Sequence, residues 1–101
     1  MQLARVVGSV WATRKTQTLE GLRLQVLRQV GLDLKDAAGT LIAADAVGAG
    51  VGDLVLYATG SSARQTPVTE NRPVDAVIMA VVDAFDIEGK IVFQKSGKGD
   101  R

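Results

Sequence analysis

The apolar residues of this chain come in short runs, and each run is stopped by glycine, proline or a polar cluster. Residues 2–13 are rich in β-branched side chains. Their alternation puts Ala4, Val6, Val10 and Ala12 on one face and Leu3, Arg5, Val7, Ser9 and Trp11 on the other, with Gly8 marking a bulge or bend. "LIAADAV" at 41–47 reads as a short buried strand. "DLVLYAT" at 53–59 sets Leu54, Leu56 and Ala58 against Val55, Tyr57 and Thr59. "VDAVIMAVVDAF" at 74–85 reads as one long buried strand, and "EGK" at 88–90 turns the chain into a last strand, "IVFQK". Strands this short, separated by turn signals, predict an all-β barrel or sandwich.

The remaining segments are less decided. Residues 19–30 fit both periods: Leu22, Leu24 and Val26 alternate as in a strand, while Leu19, Leu22, Val26, Leu27 and Val30 make a helical stripe. "GLDLKDAAGT" at 31–40 reads as a loop. "SSARQT" at 61–66 predicts one short helical turn capped by Ser61 or Ser62, and "PVTENRP" at 67–73 an exposed loop. The tail 96–101 is small and polar, and is expected to be flexible. A chain of 101 residues fits one small domain.

Composition narrows the chemistry. There is no cysteine and no histidine, so disulfides, thiolate metal sites and the commonest general base are all absent. The net charge of +1 gives no bulk signal for nucleic acid, and Trp11, Tyr57, Phe85 and Phe93 are scattered. No apolar run approaches the ~20 residues of a membrane helix, and the N-terminal stretch is too interrupted for a signal peptide. A soluble cytoplasmic protein is expected. Against 47% hydrophobic residues only 23% are charged, a lean polar surface that points to subunit interfaces.

The densest run of unusual residues is "GAGVGDLVLYATGSSAR", 48–64. Gly48, Gly50 and Gly52 approach a dinucleotide fingerprint, but Asp53 and a β-rich run follow where a helix N-terminus is needed. Ser61 and Ser62 approach a nucleophile elbow, but Arg64 replaces its second glycine and no histidine exists to serve as base. Asp45, Asp75 and Asp83 border apolar runs. Their reading as hydrogen-bond acceptors or arginine partners outweighs their reading as an acid–base pair. Arg14 and Lys15 form a small basic spot, suited equally to a partner protein or to solvent. No catalytic, metal or cofactor residue is assigned, and an enzyme is not expected.

"VGSVWATRK", "AADAVGAGVGDLVL", "TGSSAR" and "PVDAVIMAVVD", in this order and spacing from Met1 to about Asp86, resemble the vertex proteins of bacterial microcompartment shells. This is the pentameric family of carboxysomes and of metabolosomes such as those for ethanolamine use. The resemblance implies a small OB-like β-barrel over 1–86, with 87–95 as a C-terminal strand, five copies forming a ring that caps a fivefold vertex beside hexameric shell proteins. It implies a structural role without catalysis or cofactor, in a shell within the cytoplasm, and it favours strand for residues 19–30. The length of the 31–40 excursion leans away from the carboxysome type.

A closed ring joins two different patches of each subunit. Val7, Trp11, Arg14, Lys15, Tyr57, Arg64 and Asp75 are the interface candidates, with Arg64 meeting a carboxylate. Gly48, Ala49 and Gly50, or Gly60, Ser61 and Ser62, are the candidates for the ring axis, the second group preferred because small polar residues suit a narrow opening. The alternative is an OB-type module for single-stranded nucleic acid using Arg5, Arg14, Lys15, Arg23 and Arg28, with Trp11 near them.

Overall fold

The computed structural model describes residues 1–95, so the expected flexible tail lies outside the described residues. Seven strands follow in order: β1 (Gln2–Val10), β2 (Leu24–Val30), β3 (Asp36–Asp45), β4 (Leu54–Thr59), β5 (Ala76–Val81), β6 (Ala84–Ile87) and β7 (Lys90–Gln94). Short 3-10 helices lie at Gln17–Leu19 and Gly60–Arg64. The first five strands close a barrel in the order β1-β2-β3-β5-β4, and β6 and β7 form a separate two-stranded sheet. All pairings are antiparallel except β3 with β5, where Ala44 meets Val77 and Asp45 meets Ile78. The chain is thus an all-β, OB-like barrel.

Two layers of burial explain why the runs are so apolar. Inside the barrel lie Ala4, Val6, Leu27, Ala43, Val55, Tyr57 and Ile78. A second cluster forms on Ala44, Ala58 and Val77 of β3, β4 and β5, under Ala63 of the second 3-10 helix and Val74. Alanine at 44, 58 and 63 leaves room for that helix to sit close to the sheet. Burying strands on two sides removes the apolar surface that a lone sheet would expose to water, at roughly 25 cal/mol per Å².

Gly8 does mark a bulge: Val6 pairs with Leu27 and Gly8 with Val26, which leaves Val7 as the extra residue. The bulge reverses the alternation beyond it. Ser9 now stands opposite the buried Gln25 and bonds its side chain, so the predicted inward face of Ala4, Val6, Val10 and Ala12 holds only as far as Val6.

Four other expectations are corrected. Residues 31–40 are not an excursion: β3 begins at Asp36, and only 31–35 turn, closed by Gly31 N donating to Lys35 O and Leu34 N to Gly31 O. Within 19–30, only Leu24–Val30 is strand, and Leu19 and Leu22 pack beneath the second cluster from a turn. The run 74–85 serves two sheets: β5 ends at Val81, and β6 pairs with β7 alone, so the expected boundary at 86/87 falls within β6. In the loop 67–73, Thr69 is fully buried and shares hydrogen bonds with Thr66.

Candidate functional site

The glycine-rich loop between β3 and β4 is organised by one carboxylate. Asp45, at the end of β3 and almost fully buried, accepts hydrogen bonds from Val47 N at 3.0 Å and Gly48 N at 2.8 Å on Oδ1. Its Oδ2 accepts from Ala49 N at 2.9 Å and from Gln25 Nε2 at 3.1 Å. Gln25 Nε2 also donates to Ala49 O at 2.8 Å, while its Oε1 accepts from Ser9 Oγ at 2.9 Å. The next amide, Gly50 N, donates to Asp53 Oδ2 at 2.8 Å. Successive backbone N–H groups of this kind make an anion-binding concavity. Here the four amides from Val47 to Gly50 are taken by the chain's own carboxylates, so the loop has no free cradle for a phosphate. Gly48 at φ 84° and Gly52 at φ 96° supply the left-handed turns that this path requires.

The second candidate loop is built differently. Gly60 enters its 3-10 helix at φ 67° and donates its N–H to Asp75 O at 2.8 Å. Ser61 and Ser62 are exposed, but neither caps the helix: Thr59 holds the cap position, without a side-chain bond. The expected serine cap is therefore absent, because the Gly60 amide is satisfied by the backbone of 75. Arg64 Nη1 donates to Val74 O at 3.0 Å and lies 3.9 Å from Asp75 Oδ1, whose side chain is 99% exposed. Within a single chain, the two residues proposed to reach a neighbour meet each other loosely at the surface.

The other candidates divide by exposure. Val7, Trp11, Arg14 and Lys15 all face solvent, with Trp11 91% exposed beside a groove of about 250 Å³ lined by Val10, Lys15, Leu19, Leu22 and Leu24. Tyr57 is the correction. It is fully buried, its hydroxyl donating to Gln2 Oε1 at 2.6 Å and accepting from Gln29 Nε2 at 3.1 Å, so it has no side-chain surface for a partner. The side chain of Ala49 is likewise in the barrel core, which leaves the axis role of 48–50 to the glycines.

Of the three aspartates, Asp45 is consumed by the loop, while Asp75 and Asp83 are open to solvent. Among the described residues no group of three or more acidic side chains is placed to hold a metal. Sequence reasoning overlooked Gln25, Ser9 and Asp53. The available signal was Asp45 immediately before a glycine-rich loop, the usual placement of a carboxylate that bonds the backbone just after it.

The family model described as "Ethanolamine utilisation protein EutN/carboxysome" matches residues 1–83, the whole barrel. The carboxysome shell vertex protein CcmL of Nostoc sp. is 40% identical over 101 residues, covering 94% of this chain and 95% of its own. Its solved structure superposes at a TM-score of 0.90, covering 94% of this chain and all of that one. The bacterial microcompartment shell vertex protein PduN of Salmonella typhimurium is 41% identical over 89 residues, 84% of this chain and 98% of its own. The structure of GrpN from Rhodospirillum rubrum, described as a pentameric microcompartment shell protein, matches at a TM-score of 0.75 and 33% identity, over 86% of this chain and 98% of that one. With carboxysome proteins among relatives covering nearly the whole chain, and with residues 36–40 in strand, the lean away from the carboxysome type loses its basis. A barrel matched from its first strand to its fifth, at this level of identity, makes the chain a member of the EutN/carboxysome protein family.

Proposed function

We propose that this protein is a structural component of a bacterial microcompartment shell, in which five copies form a ring that caps a fivefold vertex. The observation that carries this reading is the family match over 1–83 together with relatives named as shell vertex proteins at about 40% identity. The protein's activity is geometric: flat tiles of hexameric shell proteins need a fivefold element to close, and a small rigid barrel supplies one wedge of it. Catalysis has no part in this role. The ring sits in the shell, within the bacterial cytoplasm, between hexameric partners.

The surface supports this reading. Trp11, Val7, Ile42 and Val51 are exposed apolar side chains on a chain whose core is otherwise closed. Gly60, Ser61 and Ser62 remain our candidates for the ring axis, with Gly48 and Gly50 as the second set. Val7, Trp11, Arg14, Lys15, Arg64 and Asp75 are the candidates for contact with neighbours.

The nucleic-acid alternative gains little support. A strand-binding surface interleaves free basic groups with stacking rings, whereas Arg28 lies 3.6 Å from Asp36 and Arg5 Nη1 donates to Gly52 O. Tyr57 is in the core and Phe85 stacks on Phe93, which leaves Trp11 as the single well-exposed ring among the described residues.

Mass measurement of the intact oligomer tests the proposal. The expected species has the mass of five chains. A monomer alone, at concentrations where shell proteins assemble, would sink it.

A further inference from the structure

The β6–β7 hairpin is poorly explained by the single chain. Four residues pair with five, and an isolated two-stranded hairpin is marginal in water. Its contacts run mainly between its own strands, and neither apolar cluster of the barrel includes one of its residues. Phe85 and Phe93 stack at 6.5 Å between ring centroids, while Ile87 is 43% and Ile91 61% exposed. The hairpin is anchored at its root by Lys95 N donating to Asp83 O at 2.7 Å and by Lys95 Nζ lying 3.8 Å from Asp53 Oδ1. The family model stops at residue 83, immediately before it, so the hairpin is additional to what the family shares.

The same chain carries a second unfilled apolar feature. On the outer face, Leu3 pairs with Leu56, and these two with Met1, Val30 and Leu32 line a groove of about 350 Å³. Met1 and Leu32 are largely exposed. The turn bordering the groove carries Lys35, with Asp33 Oδ1 occupied by Lys35 N. The hairpin tip presents Ile87 between Asp86 and Glu88, with Asp86 Oδ2 partly engaged by Gly89 N. An apolar tip flanked by acids therefore matches an apolar groove flanked by a lysine.

We infer that the β6–β7 hairpin of one copy docks, through Ile87 and Ile91, on the Leu3–Leu32–Leu56 groove of the next copy. The occupant is a second copy for three reasons. The two patches are different, as the head-to-tail contact of a closed ring requires. Both are apolar and unfilled in the single chain. In a ring, each copy has another copy as its immediate neighbour. The hairpin is then a clasp added to the contacts of the barrels. This inference rests on the ring reading above.

The chain contains no cysteine, so two introduced ones report on each other alone. The double variant Ile87→Cys with Leu32→Cys, mildly oxidised, is expected to give a covalent ladder reaching five chains under non-reducing conditions, while either single variant gives none. A ring of normal mass without a ladder would overturn the clasp and leave the ring standing. Absence of a five-chain mass for the unmodified protein would instead remove the ring, and the clasp with it. Ile87→Asp provides a second readout, since the side chain is exposed in the single chain and the barrel does not depend on it. Its ring is expected to melt about 4 °C or more below the parent. An unchanged midpoint counts against the clasp.

Discussion

Asp45 shows how much one side chain can decide. It is the residue that turns a sequence resembling a nucleotide loop into a closed structural corner, because its two oxygens occupy three of the amides that a phosphate would need. A hydrogen bond to a charged group contributes roughly 1.5–3 kcal/mol. With water replacing part of the loss, Asp45→Ala is expected to lower the unfolding free energy by about 3 kcal/mol, measured by denaturant titration. A change below about 0.5 kcal/mol would mean the loop holds its path without the carboxylate. The role of Asp45 as a backbone acceptor was legible from its place at a strand end. That of Gln25 was not. It sits among alternating leucines and valines where polar residues read as outward-facing, and only the bulge at Val7 and the needs of Asp45 explain why it is buried. Tyr57 misled for a related reason: its inward position was readable from alternation with Val55, but its hydroxyl suggested a surface until Gln2 and Gln29 supplied partners inside.

At the level of elements, strands with β-branched residues were readable and strands made by pairing were not. The run at 54–59 is strand by its own alternation. The run 36–40, Asp-Ala-Ala-Gly-Thr, has no such pattern and is extended because β2 holds it, Arg28 opposite Thr40 and Val30 opposite Asp36. Between those pairs the register shifts, and Gly39 at φ 110° takes up the irregularity. The division of 74–85 between two sheets was hidden for the opposite reason: continuous apolar character persists where the partner strand changes. The β6–β7 turn depends on left-handed conformations at Glu88, φ 52°, and Gly89, φ 86°. A β-branched residue there is strained by roughly 1–2 kcal/mol. Gly89→Val is therefore expected to speed amide exchange across residues 84–94 while leaving the barrel amides protected. Equal acceleration in both would show that the hairpin and the barrel open as one unit.

For the whole molecule, the informative position is Gly50. A Cβ built there meets only Asp53 Oδ2 at 3.9 Å, an ordinary contact, and its backbone is not left-handed. The single chain therefore accommodates Gly50→Leu, and any loss of assembly would come from a neighbour. The expected result is an unchanged circular-dichroism spectrum with loss of the five-chain mass. If the ring persists, residues 48–50 do not lie where copies crowd together. The family was legible from four stretches spread over most of the chain, while the surfaces that meet were not, because contact between copies depends on shape contributed by two chains at once.

The internal bonding of residues 47–50 also bears on how such a corner comes together. A loop that must be ordered by its partner loses conformational freedom at the moment of association, and that loss weakens the complex. Here the ordering is completed during folding, by acids belonging to the same chain. Each copy reaches its neighbours with this segment already immobilised, so more of the contact free energy is left to hold the copies together.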